Sequence, residues 1–403
     1  MKVLVTDGDQ RPSLAVTRSL GKRGIEVLVG EEKKDSLASY SKYCSGRVVY
    51  PSPYNNPEGF NQFLMEFVRQ ARIDMVVPIT DVAMHLVSQY KKDLQNFTKL
   101  PIPEFEAFDF ASNKSSLLKY AREQGIPIPN TYFIEGPDSL KAALNQVTYP
   151  VVVKPGRSRI PTEGGWIHTQ VHYAESEEEL IRLYETQPYL RFPSMIQERI
   201  TGPGVGLFVL FNRGELVTAF SHRRLKEKPP SGGVSVLCES IPVDPNLKEQ
   251  AVGLFKSLGW HGVAMMEYKL DQRTGTPLLM EVNGRFWGSL QLAIDAGMDF
   301  PYLLFRLATE GRVEAPQSYR VGVKSRWLLG DLDHLILRIF KKDQDLHLPS
   351  GFPSRTKTLI QFLKFYQPGL HDEILSLKDP RPFLYELKEY LKAGFWGQGS
   401  GAG

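Results

Sequence analysis

Cysteine is nearly absent: the chain of 403 residues holds two, Cys44 and Cys238. They cannot build a disulfide framework, and without a Cys-x-x-Cys there is no thiolate zinc site or dithiol redox centre. Such low usage fits a reducing compartment. Long apolar runs are missing too. No stretch approaches the roughly 20 residues of a membrane span. The opening Met1-Lys2-Val3-Leu4-Val5-Thr6-Asp7 is too short an apolar run for a signal peptide. The expectation is a cytoplasmic protein with no membrane partner. Neither sign of charge dominates, with 49 Lys plus Arg against 45 Asp plus Glu and a net charge of +4. No block of like charges reads as a nucleic-acid tail. The basic stretch 223–228 contains Glu227 and lacks interleaved aromatics for stacking bases. Two phosphate-loop signatures are also lacking. There is no Gly-x-x-x-x-Gly-Lys-Ser/Thr, and no Gly-x-Gly-x-x-Gly follows the first strand pattern. No conspicuous Ser-His-Asp or Cys-His arrangement points to a covalent nucleophile.

What is present is ordinary globular material, 42% hydrophobic and 23% charged, long enough for two or three domains. Through residues 1–111 short apolar runs alternate with helical patterns, which predicts an open parallel-sheet α/β domain. Ligands of such sheets gather beyond the carboxyl ends of the strands. Asp7-Gly8-Asp9 and Thr80-Asp81 fall there. Asp81 is expected to cap the helix that follows, with substrate contact as the alternative. Residues 112–312 read as an α+β body. Residues 313–396 carry apolar helical patterns at 328–340, 358–366 and 382–391 and read as a helical extension. The Gly-rich residues 397–403 read as a flexible tail.

Chemistry concentrates in the body. In Leu278-Leu279-Met280-Glu281-Val282-Asn283, strand alternation puts Leu278, Met280 and Val282 on one face. Leu279, Glu281 and Asn283 take the other. On the preceding strand Val263, Met265, Glu267 and Lys269 share a face, and antiparallel pairing can bring Glu267 beside Glu281. Two carboxylates and an amide are hard oxygen ligands of the kind that hold Mg²⁺ together with substrate phosphates. Taken singly, either glutamate could simply face solvent and pair with a lysine. Lys154 ends an apolar strand just before the glycine-rich loop 156–165, and Lys114 opens a helix. Both are natural phosphate contacts, although an isolated exposed lysine is usually surface.

These pieces, in this order, resemble the ATP-grasp superfamily. The residues carrying the resemblance are Asn113-Lys114; Tyr149-Pro150-Val151-Val152-Val153-Lys154-Pro155 with its loop; Gln197-Glu198-Arg199-Ile200; and Glu267 followed by Glu281-Val282-Asn283-Gly284-Arg285. The segments His222-Arg223-Arg224-Leu225 and Arg285-Phe286-Trp287-Gly288-Ser289-Leu290 look like the carboxylate–amine ligase branch, similar to the carbamoyl-phosphate synthase large chain. The resemblance spans about residues 1–312, makes the first domain a pre-ATP-grasp domain, and implies that 112–312 is a two-lobed ATP-grasp body with a small lobe at about 112–200 and a large lobe at about 201–312. It implies that Lys114 and Lys154 bind ATP phosphates and that the loop 156–165, with Gly164 and Gly165, closes over the triphosphate. It sets Gln197, Glu198, Arg199 and Ile200 at the adenine hinge, where backbone groups read the base edge. It makes Glu267, Glu281 and Asn283 ligands of Mg²⁺, with Mn²⁺ as a substitute. Arg285 would stabilise the transferring phosphoryl group, and Arg223 or Arg224 would contact phosphate or the substrate carboxylate. The sequence departs from the family twice. Where many members carry a ribose-binding carboxylate, Val205 and Gly206 stand here. The phosphate loop carries Arg157-Ser158-Arg159-Ile160-Pro161-Thr162 in place of a plainer glycine run.

The implied activity is an ATP-dependent ligase that activates a carboxylate as an acyl phosphate and joins it to an amine, releasing ADP and phosphate. Its partners would be small molecules and not nucleic acid, with room for a homodimer. The alternatives are another ATP-grasp reaction, a carboxylase or a small-molecule kinase, or a non-catalytic nucleotide-binding protein.

Overall fold

The structure is a computed structural model that describes residues 1–346, 348, 351–365 and 367–393. The expected flexible tail 397–403, the last residues of the extension and the end of the 358–366 pattern lie outside the described residues.

Four short strands begin the fold: β1 (Lys2–Val5), β2 (Glu26–Glu31), β3 (Gly46–Val49) and β4 (Met75–Val77). They pair in parallel in the order β3-β2-β1-β4. Val3, Leu4 and Val5 are fully buried, as an apolar run in a sheet covered on both faces must be. The crossover helix Pro57–Gln70 starts where Asn56 accepts a hydrogen bond from the Gly59 amide at 2.9 Å. Its Phe60, Leu64 and Val68 recur at helical spacing and are buried.

A second sheet contains β5 (Thr131–Ile134), β6 (Val151–Pro155), β9 (His172–Ala174) and β10 (Ser194–Glu198), antiparallel in the order β5-β10-β6-β9. Between β6 and β9 the chain leaves this sheet as a hairpin of β7 (Arg159–Thr162) and β8 (Gly165–His168). The glycine-rich segment is therefore half loop and half strand.

The largest sheet has seven strands in the order β15-β14-β11-β12-β13-β16-β17. They are β11 (Gly204–Asn212), β12 (Glu215–Lys228), β13 (Val234–Ile241), β14 (Gly262–Leu270), β15 (Pro277–Asn283), β16 (Lys324–Arg326) and β17 (Leu370–Asp372). Along β11 the side chains alternate between two cores. Phe208 and Leu210 join a core shared with Val3, Val5 and Leu14, so the parallel sheet packs directly against this one. Leu207, Val209 and Phe211 join a second core with Leu254, Trp260 and Tyr268.

Beyond residue 312 the described chain is helical at Leu328–Phe340, Arg355–Leu363 and Arg381–Ala393. It is not helical throughout. β16 pairs antiparallel with β13, and β17 pairs in parallel with β16, extending the large sheet. Three polar residues such as Lys324-Ser325-Arg326 carry no strand pattern. Their placement is tertiary: Arg326 and Lys226 both reach Asp331, at 2.8 and 2.9 Å. Among the described residues no helix is long and apolar enough to cross a membrane.

Candidate active site

The site forms where β14 and β15 run beside the small sheet and the parallel sheet. In the register of that pair Glu267 stands directly opposite Glu281. The alternation expected along β15 breaks there. Leu279 pairs with Tyr268 and Glu281 with Glu267, which leaves Met280 as an extra, unpaired residue. Such a bulge re-aims the side chains around it. Leu279 and Val282 enter the core behind the sheet, while Leu278 and Met280 pack with Ile200 in a small separate apolar cluster. The expectation that Leu278, Met280 and Val282 share a face is thus corrected. Leu278 and Met280 lie with Glu281 and Asn283 on the face away from that core, while Leu279 and Val282 turn into it, so Leu279 does not share a face with Glu281 as expected.

Around the two carboxylates the structure gathers four cations. Lys114 Nζ lies 3.0 Å from Glu281 Oε2 and donates to Ser158 Oγ at 2.9 Å. The Asn113 side chain accepts from the amides of Ser115 and Ser116, and this cap sets Lys114 at the helix start. Lys154 Nζ approaches Met280 Sδ at 3.7 Å. Burial lowers its pKa to about 8; Glu281 opposes the shift, and Lys114 and Lys269 reinforce it. Arg224 holds Glu267 and also donates to Glu227 Oε1 at 2.9 Å and to the Gly233 carbonyl at 3.0 Å. Arg285 donates to Asp81 Oδ2 at 2.8 Å and to Asn283 Oδ1 at 3.3 Å. The Asn283 amide in turn donates to Glu281 Oε1 at 3.0 Å.

The two glutamates titrate in opposite directions. Burial works against ionisation of Glu281, but Lys114, Asn283 and Lys154 outweigh it and hold its carboxyl well below the ordinary value. Burial pushes Glu267 up, Arg224 opposes, and Glu281 and Glu227 add to the rise. The donor set suits Mg²⁺: two opposed carboxylates and an amide oxygen, with cations where the metal's positive charge would otherwise compensate them. Among the described residues no group of three or more His, Cys, Asp or Glu could hold a metal. A metal here would depend on oxygen ligands from elsewhere, such as phosphates.

Arg223 and Arg224 do not act together. They point to opposite faces of β12. Arg223 is half exposed and pairs with Glu239 on β13 at 2.6 Å, away from Glu267. At the hinge Gln197 is buried and donates to Thr131 Oγ1 at 2.9 Å. Glu198 exchanges two hydrogen bonds with Asn130, each 3.0 Å, and reaches Arg273 at 3.2 Å. Arg199 lies 3.8 Å from Glu175. The side chain of Ile200 forms an apolar shelf with Leu278 and Met280. At Gly206, expected from the resemblance to lie where a ribose would be held, there is no room for a side chain, since a Cβ there would lie 2.5 Å from Phe208 Cζ. Gly165 runs against the parallel-sheet domain, and its Cβ would meet the Tyr54 carbonyl at 2.8 Å. Nothing lies within 4 Å of a Cβ built on Gly164.

Sequence reasoning expected Asp81 to be a cap and overlooked Leu278, Met280 and Tyr54. Asp81 does not cap its helix; Thr80 does, accepting from the Ala83 amide at 3.2 Å, which leaves Asp81 to hold Arg285. Adjacent Thr and Asp offered two candidate caps for one helix, and the place of Asp81 beyond a strand's carboxyl end was the other signal. Leu278 and Met280 carried none, because the bulge is not written in the pattern. Tyr54, in electrostatic reach of Arg285 and Asp81, lies in a loop that the strand and helix patterns left unassigned.

The family model described as "ATP-grasp in the biosynthetic pathway with Ter operon" matches residues 191–330, the part that holds Arg224, Glu267, Glu281 and Arg285. The chain is 28% identical over 276 residues to the D-alanine–D-alanine ligase of Pelotomaculum thermopropionicum, covering 60% of this chain and 82% of that one. It is 22% identical over 343 residues to the D-aspartate ligase of Enterococcus faecium, covering 78% and 79%. Among solved structures, biotin carboxylase from Campylobacter jejuni superposes with a TM-score of 0.63 at 17% identity, over 80% of this chain and 74% of that one. That likeness concerns the fold alone.

Proposed function

We propose that this chain, which is similar to ATP-grasp ligases in its family-model match and in its sequence relatives, is an ATP-dependent ligase joining a carboxylate to an amine, with release of ADP and phosphate. The observation that carries this reading is the direct opposition of Glu267 and Glu281 in register, ringed by Lys114, Lys154, Arg224 and Arg285. A carboxylate is a poor electrophile because its leaving group would be oxide. Transfer of the γ-phosphoryl group of ATP to one carboxylate oxygen breaks the bond to ADP and creates an acyl phosphate. Attack by the amine nitrogen then expels phosphate, the nitrogen loses a proton, and the C–N bond is made.

The residues divide this work by position. Lys114 and Lys154 would bind phosphate oxygens as point charges. Arg285 would face the transferring group, held in place by Asp81 and Asn283, so that its positive charge is preorganised. Ile200, Leu278 and Met280 would support the adenine ring. Glu267, Glu281 and Asn283 would hold Mg²⁺, which when bound supplies neutralisation of phosphate charge. The two sequence relatives are by name amino-acid ligases, which supports an amino acid among the substrates. The carboxylase fold likeness does not bear on the acceptor, because one fold hosts many reactions.

The test is ADP release from Mg–ATP, screened over pairs of amino acids and small carboxylates with amines, with Glu281→Ala as control. Release that needs both a carboxylate and an amine, and that is lost in the variant, is expected. Turnover with a hydroxyl acceptor alone would point to a kinase. Absence of nucleotide binding at millimolar ATP would remove every reading of this site as an ATP site.

A further inference from the structure

The stretch 157–162, which leads into and forms β7, carries two arginines where a plainer glycine run is expected, and the structure accounts for only one of them. Arg157 donates to Asp109 Oδ2 at 2.8 Å and to Ser112 Oγ at 3.2 Å, which anchors the loop's base to the parallel-sheet domain's last helix. Ser158 accepts from Lys114 at 2.9 Å. Arg159 is different. Its guanidinium donates to the neighbouring Ser158 carbonyl at 3.2 Å and makes no ion pair among the described residues. It is half-buried all the same.

The charged and ionisable neighbours that act on Arg159 lie in the parallel-sheet domain. The hairpin docks there through Trp166, whose indole N–H donates to the Pro53 carbonyl at 3.1 Å and whose ring meets His85 edge to face at 5.0 Å. Gly165 touches the Tyr54 backbone. This docking brings Arg159 into electrostatic reach of Tyr54 and Asp81, and both of those also act on Arg285. Asp7 lies near Tyr54, at the carboxyl end of β1. It is buried, bonded by Thr6, Ile79 and Thr80, and burial pushes its carboxyl up. Asp81 is already committed to Arg285 at 2.8 Å, and Glu281 also acts on Arg285, at the strand ends where ligands of such sheets gather. Arg159 brings there a guanidinium with no ion-pair partner among the described residues, planar and forked, suited to a carboxylate.

We propose that Arg159 is a specificity-determining residue that the lid hairpin delivers to the substrate side, where with Arg285 and Tyr54 it reads the anionic group of the carboxylate substrate. The assignment rests on the ligase reading. It makes the lid a reader of substrate as well as a cover for nucleotide, since the same hairpin that touches Lys114 through Ser158 presents Arg159 to the other partner.

The test compares wild type with Arg159→Gln and Arg159→Lys by ADP release at saturating Mg–ATP. Glycinamide serves as an amine that brings no carboxylate of its own. D-alanine, L-alanine, D-aspartate and L-aspartate are titrated as carboxylates. For whichever of these stimulates release, R159Q is expected to raise the carboxylate KM about 10- to 100-fold and R159K less, with KM for ATP within about two-fold of wild type. A carboxylate KM unchanged in R159Q overturns the proposal. So does a rise confined to the ATP KM, which would assign Arg159 to the triphosphate. If wild type binds ATP but neither these four nor any other carboxylate–amine pair of the wider screen stimulates release, the ligase reading itself falls, and the role of Arg159 falls with it.

Discussion

Glu267 and Glu281 face each other across β14 and β15, yet each is neutralised by a cation from a different part of the fold: Arg224 on β12 for the first, Lys114 at a helix start for the second. The pair is thus held charged in part and close together without a metal. Replacing Glu281 by Gln removes the more acidic member and leaves Lys114 and Lys154 without their shared carboxylate. ADP formation should fall by about 100-fold or more, while circular dichroism shows the fold retained. Activity within a few-fold of wild type would mean that the opposed pair is not the reacting centre.

Lys154 is a buried cation that the fold tolerates at a cost, with its pKa lowered to about 8. The unfolded chain holds that proton more tightly than the native one. This group's contribution to stability therefore rises with pH between about 8 and its unfolded value, and below 8 it is at its least favourable. Lys154→Met should leave the melting temperature unchanged or raise it. It should weaken nucleotide binding about 10-fold or more, read by titration calorimetry. A large drop in melting temperature with unchanged ATP affinity would contradict this.

The same group predicts a pH profile. If phosphate binding needs the charged amine, ATP affinity is flat below pH 8 and declines above it, approaching ten-fold per pH unit. In Lys154→Met the decline near pH 8 should vanish. A profile flat to pH 10 in wild type would separate Lys154 from the nucleotide.

Thr80 and Asp81 are adjacent but do different jobs. Thr80→Ala removes a helix cap and should cost about 1 kcal/mol of stability with little change in kcat. Asp81→Asn weakens the hold on Arg285, 204 residues away in sequence, and should lower kcat about ten-fold or more with little change in melting temperature. The reverse pattern would return Asp81 to a capping role.

Trp166 pins the hairpin to the Pro53 carbonyl and to His85. Trp166→Ala should leave the large sheet intact but open the hairpin, so that trypsin cuts after Arg157 or Arg159 faster than in wild type. Equal cleavage rates in the two proteins would show that this contact does not hold the lid.

Much of this was legible because it is written in local patterns. The alternation of strands and helices foretells the parallel sheet. The spacing of Glu267, Glu281 and Asn283 on two consecutive strands foretells the hairpin that opposes them. What was not legible depends on events with no local signature. A single inserted residue, Met280, changes which neighbours of Glu281 face the ligand. The division of Arg223 from Arg224 follows from strand alternation, but their motif named them together. Arg159 becomes informative only once Arg157 is seen to be committed to Asp109. Three-residue strands such as Leu370-His371-Asp372 are decided by what they pair with and not by their own propensity.

Those late strands carry a consequence of their own. β13 would be an outer strand of the large sheet if the chain stopped before Lys324, with the half of its main-chain donors and acceptors that faces away from β12 open to any passing partner. β16 pairs with Leu237, Cys238 and Glu239, a bond from Trp327 to Val236 extends the cover, and β17 then sets a margin three residues long that ends in Asp372. Truncations made to trim the molecule to its nucleotide-binding body would uncover a long sticky edge, and the product should be poorly soluble even where every residue around Glu267 and Glu281 is retained.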